Sequence, residues 1–305
     1  MQVKDKYFNG RDVDGEVGIE IEMEGKHFPD PVSFTHATDG VWAGHNDGSL
    51  RGSSIEIVLF KPVPRDMVNE VLASAVKTLI NAGSELIPSV RTGVHVHINI
   101  RHMTEEEVFK FMFCWFLMES VLVRYCGEDR VGNLFCLRGS DAEAYMDLLE
   151  SAVKEGDFNI LYTDELRYSA MNPKALIEYG SLEFRCLKTP EDIMDVSDWV
   201  DILLAVKDFS LTIEDPAELL DMISRVGGDE IAEKCFGPLL EKLPVEDWTM
   251  EMFSGLRLIQ PIIYARNWNL PEEEDVVFAT ELPESWKAAK KAGILTAKEV
   301  VENNV

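Results

Sequence analysis

Four short stretches of this chain put acids, histidines and an arginine on alternating positions. Glu20, Glu22 and Glu24 alternate within residues 17–24, Glu56 lies within 54–58, His95 and His97 within 94–100, and Glu183 with Arg185 within 181–186. A strand sends successive side chains to opposite faces, so each stretch has one apolar face and one charged face. One such strand is an ordinary half-solvated strand. Several glutamates gathered with two histidines on one open face repel one another unless cations neutralise them. Two hard divalent ions held there could clamp a phosphoryl group on both its attacking and leaving oxygens. Arg185, on the same face as Glu183, would neutralise charge building on that group. Read without the arginine, the same inventory suits metal-assisted hydrolysis.

Other positions extend this set. The loop His45-Asn46-Asp47-Gly48-Ser49 has the Asp-Gly pair of a turn, and Asp47 and Ser49 offer oxygen ligands. Gly180 precedes the last motif strand, where a small residue admits close approach of a ligand. Structural readings stand beside these. Glu24 suits the solvated end of its strand, His95 reads equally as a hydrogen-bonded core histidine, and Glu183 with Arg185 could be an ion pair. Cys186 falls on the apolar face by alternation.

The elements that must position these residues follow from periodicity. Residues 1 to about 62 read as strands and loops, closed by Pro62-Val63-Pro64. Helical spacing runs from Asp66 to Ala82, with Gly83 as its cap. Thr104-Glu105-Glu106-Glu107 has the form of a capping box opening a helix to about Tyr125. That helix is apolar on nearly every side, which predicts a central core helix. A helix is expected over 141–155, and another to about Asp208 opened by Thr189 as N-cap. Further helices are expected from Asp215 to Gly227 and around 229–241, 247–258, 283–292 and 296–303. The fold class is α+β: a largely antiparallel sheet with helices packed on one face over 1–210, and a helical C-terminal extension over 211–305 packed on it.

Composition narrows the function classes. The chain has 305 residues, 46% of them hydrophobic, and a formal net charge of −26. That charge opposes duplex nucleic acid and anionic membranes as partners. Five scattered cysteines without C-x-x-C spacing suit a reducing compartment better than a disulfide framework or a zinc finger. The polar start, Met1 to Arg11, has no apolar run of a secretory signal, and a cytoplasmic location is the expectation.

Gly18-Ile19-Glu20-Ile21-Glu22, Asp47-Gly48-Ser49-Leu50, Glu56-Ile57-Val58 and Thr92-Gly93-Val94-His95-Val96-His97 form one ordered series. Asn133 before Phe135-Cys136, Arg167-Tyr168 with Asn172 and Lys174, and Gly180 to Arg185 continue it. Over about residues 15–205 this order resembles the amidoligase family, a branch of the glutamine-synthetase and glutamate–cysteine-ligase superfamily of carboxylate–amine ligases. Gly-Ser-Leu-Glu stands where the family more often has Gly-Thr-Ile-Glu. The resemblance implies a glutamine-synthetase-like sheet and ATP-dependent amide formation through an acyl phosphate. It implies Glu20, Glu22, Glu56, His97 and Glu183 as the metal-facing set for Mg²⁺, with Mn²⁺ as an alternative. Arg185 would stabilise the transferring phosphoryl group, with Glu183 and His95 beside it. Asp47, Arg130, Asn133, Arg167, Asn172 and Lys174 would contact nucleotide or substrate. The implied partners are a small-molecule or peptide carboxylate and an amine, with a homo-oligomer also compatible. The alternatives are a metal-dependent amidase or hydrolase on the same scaffold, and a non-catalytic nucleotide- or protein-binding scaffold.

Overall fold

The computed structural model of the protein describes residues 1–8, 13–142, 144–245 and 247–268. The helices expected around 283–292 and 296–303 lie outside them. Two compact units are present. The first comprises residues 1–104, 123–142 and 162–204, and the second the described parts of 105–122, 143–161 and 205–305. The units are drawn from interleaved segments, whereas the sequence suggests a contiguous division near residue 210. The reason lies in the helix Glu105–Tyr125, whose first residues group with later helices rather than with the sheet.

The first unit is built on one seven-stranded sheet. Its strands are β1 (Val17–Lys26), β2 (Trp42–His45), β3 (Ser53–Leu59), β4 (Glu85–Leu86), β5 (Gly93–Asn99), β6 (Met171–Asn172) and β7 (Ser181–Lys188). Their order is β2-β3-β1-β5-β7-β6, with β4 pairing β1, and every pairing is antiparallel. Mixed helix and antiparallel sheet is the expected α+β class. Alternation does what the residue pattern dictates: Val17, Ile19, Ile21, Met23, Ile55, Ile57, Val94, Val96 and Ile98 are buried on one face.

The helix Val68–Ala82 is tied to the sheet through Trp42. Trp42 of β2 lies opposite Leu59 and donates from Nε1 to the Val71 carbonyl (3.0 Å) and to Ser74 Oγ (3.2 Å). Gly83 caps this helix at φ 70°, a left-handed position that glycine occupies without strain. Arg65, just before it, pairs with Asp201.

The start of the chain is not confined to strands and loops, because helices Val3–Tyr7 and Pro31–Ala37 occur there. The second has Asp30 as N-cap, accepting from the Ser33 amide, and Pro31 at its first position. Thr189 is not an N-cap either. Its hydroxyl donates to the Glu22 carbonyl at 2.7 Å, while Asp192 caps a single 3₁₀ turn ahead of the helix Val196–Leu211.

The second unit is helical. Residues 108–119 are buried without interruption, as the apolar pattern predicts for a core helix. Phe109 packs on Phe158 (ring centroids 4.5 Å), Phe113 on Trp268 (6.0 Å) and Phe116 on Tyr145 (5.3 Å). Lys110, within this run, pairs with Glu106 Oε1 at 3.6 Å and donates to the Ile213 carbonyl at 2.8 Å. The helices Tyr145–Glu155, Glu218–Val226, Gly228–Phe236 and Trp248–Ile263 complete its described part. Among the described residues no helix is long and apolar enough to cross a membrane.

Candidate functional site

Register assembles the charged face of the sheet. Glu22 of β1 lies opposite Glu56 of β3, and Glu20 lies opposite His95 of β5. His97 lies opposite both Gly18 of β1 and Glu183 of β7, and Asn172 of β6 lies opposite Glu183. A register shift between Val94 and Val96 marks an irregularity where β7 brings Arg185 beside His95.

Two groups of ligand-type atoms result. Glu20, His97 and Glu183 form one, Glu22, Asp47 and Glu56 the other, and within each the ligand atoms lie within 4.8 Å of one another. Oxygens on opposite sides of a Mg²⁺ or Ca²⁺ ion stand about 4–5 Å apart, so each spacing is compatible with one ion. His95 stands between the groups. Its Nδ1 is 3.1 Å from Glu20 Oε2 and 3.4 Å from Glu183 Oε1, and its Nε2 is 3.9 Å from Glu22 Oε1.

Side-chain environments fit cations. His97 Nδ1 is held by Ser181 Oγ at 3.0 Å, which orients the ring. Its buried Nε2 has no hydrogen-bond partner and sits 3.4 Å from Glu20 Oε1. The Glu20 carboxylate attracts that nitrogen when it carries a proton, and a neutral ring would offer its lone pair there to a metal ion. Glu22 and Glu56, directly opposite with Asp47 beside them, present like charges that only protons or cations relieve.

The electrostatics differ between the groups. Burial pushes the Glu56 carboxyl up to about 7, helped by the charges of Glu20, Glu22 and Asp47. Burial also raises Glu22, partly offset by His95 and by the Gly93 amide, which donates to Glu22 Oε2 at 2.9 Å. Burial favours protonated Glu20 as well, but His95 and His97 outweigh it and hold this carboxyl well below the usual range. Burial alone would lower His97, yet the Glu20 and Glu183 carboxylates carry it upward. Glu183 is lowered despite its burial, chiefly by Arg185 and then by His95 and His97.

Around this core, Arg185 Nη1 donates to Glu183 Oε1 at 2.6 Å, while its buried Nε has no hydrogen-bond partner. Asn172 Nδ2 donates to the other Glu183 oxygen at 2.7 Å. Arg130 is buried, donates to the Thr92 carbonyl and leaves its Nε without a partner; its Nη2 flanks Gly93, as does Glu22 Oε2. Asp47, expected as a nucleotide or substrate contact, falls among the acids of the second group. Asn133, Arg167 and Lys174 each have local partners. Asn133 Oδ1 accepts from the Phe135 amide (2.9 Å), Arg167 is exposed over the Tyr168 ring (5.6 Å), and Lys174 Nζ pairs with Asp164 (2.5 Å). Glu24 accepts from the Arg51 amide at 2.7 Å and so pins the loop after Asp47.

Two members of the motif series gain a role only through the register. Ser181 orients His97. Gly18 makes room for it, since a Cβ there would stand 3.3 Å from His97 Cβ. Both become visible only through register, because neither residue type signals chemistry. Comparison of the chain with protein-family models and with curated proteins gives no match.

Proposed function

We propose that the protein is an ATP-dependent carboxylate–amine ligase built on a glutamine-synthetase-like sheet. The observation that carries this reading is the pairing of two acidic ligand groups, Glu20–His97–Glu183 and Glu22–Asp47–Glu56, on one sheet face beside Arg185. The ordered motif series from Gly18 to Arg185 supports it.

In the reaction, a carboxylate oxygen attacks the γ-phosphorus of ATP and ADP leaves. The amine nitrogen then attacks the acyl carbon, loses a proton, and inorganic phosphate departs as the amide forms. Mg²⁺ or Mn²⁺ held by the two groups would neutralise charge on the phosphate oxygens. Arg185, anchored on Glu183 by one nitrogen, would place its guanidinium charge to meet negative charge building on the transferring group. Asn172 fixes the Glu183 carboxylate and Ser181 fixes His97, so the groups need little rearrangement during turnover. His95 Nδ1, shared between Glu20 and Glu183, is placed to hold a proton beside them.

The testing experiment is ADP release from ATP with Mg²⁺ or Mn²⁺, against pools of carboxylates and amines, with E183Q alongside to exclude a contaminating ATPase. ADP that depends on a carboxylate and vanishes in the variant supports the ligase. Amide hydrolysis without ATP would replace it with the hydrolase.

A further inference from the structure

Beside the first acid group a cleft of about 330 Å³ opens on the same sheet face, with Gly18, Glu20, Phe60, His97, Asn99 and Tyr179 in its lining. It shares Glu20 and His97 with the candidate metal group, so whatever fills it lies against that group. Its lining is mostly apolar. Phe60 is 70% exposed and Tyr179 58% exposed, and the Tyr179 ring meets His97 edge-on at 5.7 Å between centroids. Single exposed aromatics need no explanation. Two that line one cleft beside a charged centre make a recognition surface.

The polar groups of the lining define the charge of the ligand. Arg101 is committed: its guanidinium donates to the Tyr179 carbonyl at 2.6 and 3.1 Å and stacks on Phe8 at 4.8 Å. Asn99 Nδ2 donates to the Gly15 carbonyl at 2.7 Å, and Ser181 Oγ serves His97. The lining also carries the negative charge of Glu16, whose Oε2 accepts from the Arg65 amide at 3.3 Å, and of Glu20, which it shares with His95 and His97. Among the described lining residues the one guanidinium, Arg101, is committed, whereas an ammonium group would find carboxylates and aromatic rings, both of which attract it. Size agrees. A cavity of about 150 Å³ holds benzene and ligand sites begin near about 300 Å³, so one ring with a short amine arm fits.

We propose that this cleft is the subsite for an amine with a single-ring or similar apolar body, its nitrogen toward the carboxylate side of the lining, where Glu16 stands beside the cation ligand Glu20, and its body against Phe60 and Tyr179. Its role as the nucleophile's subsite rests on the ligase reading; its binding of the amine does not. The amine is thereby an organic amine rather than ammonia.

Calorimetric titration with phenethylamine, in Mg²⁺ and without nucleotide, tests this directly. One phenethylamine per chain is expected, with 3-phenylpropionate, the acid of similar shape, at least about tenfold weaker. F60A should weaken phenethylamine about tenfold, and because Phe60 is exposed the variant should fold; Y179A provides the second wall. Equal affinity for the acid, no binding, or wild-type affinity in both variants overturns the proposal. So does displacement of phenethylamine by ATP, which would make the cleft a nucleoside site. The two readings fail separately. Selective binding without ADP formation under any carboxylate keeps the cleft and removes the ligase. ADP formation with carboxylate and ammonia, with no binding of phenethylamine, keeps the ligase and removes the cleft assignment.

Discussion

Glu22 and Glu56 face each other directly across β1 and β3, with the Asp47 carboxylate within 4.8 Å of ligand atoms of both. Opposed like charges destabilise an antiparallel pair, and burial has raised Glu56 to about 7. The arrangement is unfavourable to the fold by itself and favourable to a bound cation.

Stability of the metal-free protein should therefore depend on Glu56. With a folded pKa of about 7 against an ordinary 4.5, the folded chain keeps a proton that the unfolded chain has released between those values. The Glu56 contribution is full below about pH 4.5 and is lost as pH rises through about 7. Thermal melts in a chelator should show E56Q gaining on wild type across that window and staying above it at higher pH. Parallel curves would contradict this. Adding Mn²⁺ should reverse the order.

Removing the Ser181 hydroxyl should act on His97 without touching a ligand. S181A is expected to weaken the cation site that includes His97 by about 10–100-fold, read by Mn²⁺ titration, with a near-normal melting temperature. Unchanged Mn²⁺ affinity would show that the Ser181–His97 bond is only structural.

Arg185 separates charge stabilisation from cation binding. R185A should cut ADP formation by about a thousandfold or more, as loss of an arginine at a transferring phosphoryl group does. Mn²⁺ affinity should hold or rise, because a cation competing for Glu183 is gone. Mn²⁺ binding lost together with activity would make Arg185 a support of Glu183 and nothing more.

Gly18 should tolerate no branched side chain. G18V places atoms against His97 Cβ, already 3.3 Å from the position of a first added carbon. The expected result is loss of the His97-containing site with the Asp47-containing site retained. Loss of both sites would mean that β1 itself had shifted.

Much of this arrangement was legible in the sequence because a strand has a period of two. Glu20, Glu22, Glu56, His95, His97, Glu183 and Arg185 were each readable as residents of a charged face, and the register places them on one. Asp47 was readable only as an oxygen ligand, since its neighbours depend on the pairing of His45 with Glu56 between β2 and β3. Asn133, Arg167 and Lys174 carried no directional signal, as loops and 3₁₀ turns have no fixed period. Gly18, Ser181 and the cleft walls Phe60 and Tyr179 depend on which strands and loops become neighbours, which alternation does not encode. The interleaving of the two units was hidden for the same reason.

The central claim is that this sheet face holds two divalent cations, and counting them is its most direct test. Mn²⁺ titration of the metal-stripped protein, followed by electron paramagnetic resonance, should give two ions per chain. D47N and H97A should each give one, and the double variant none. A single ion in the wild type, or two ions surviving in both single variants, would contradict the two-cation centre and the phosphoryl chemistry built on it.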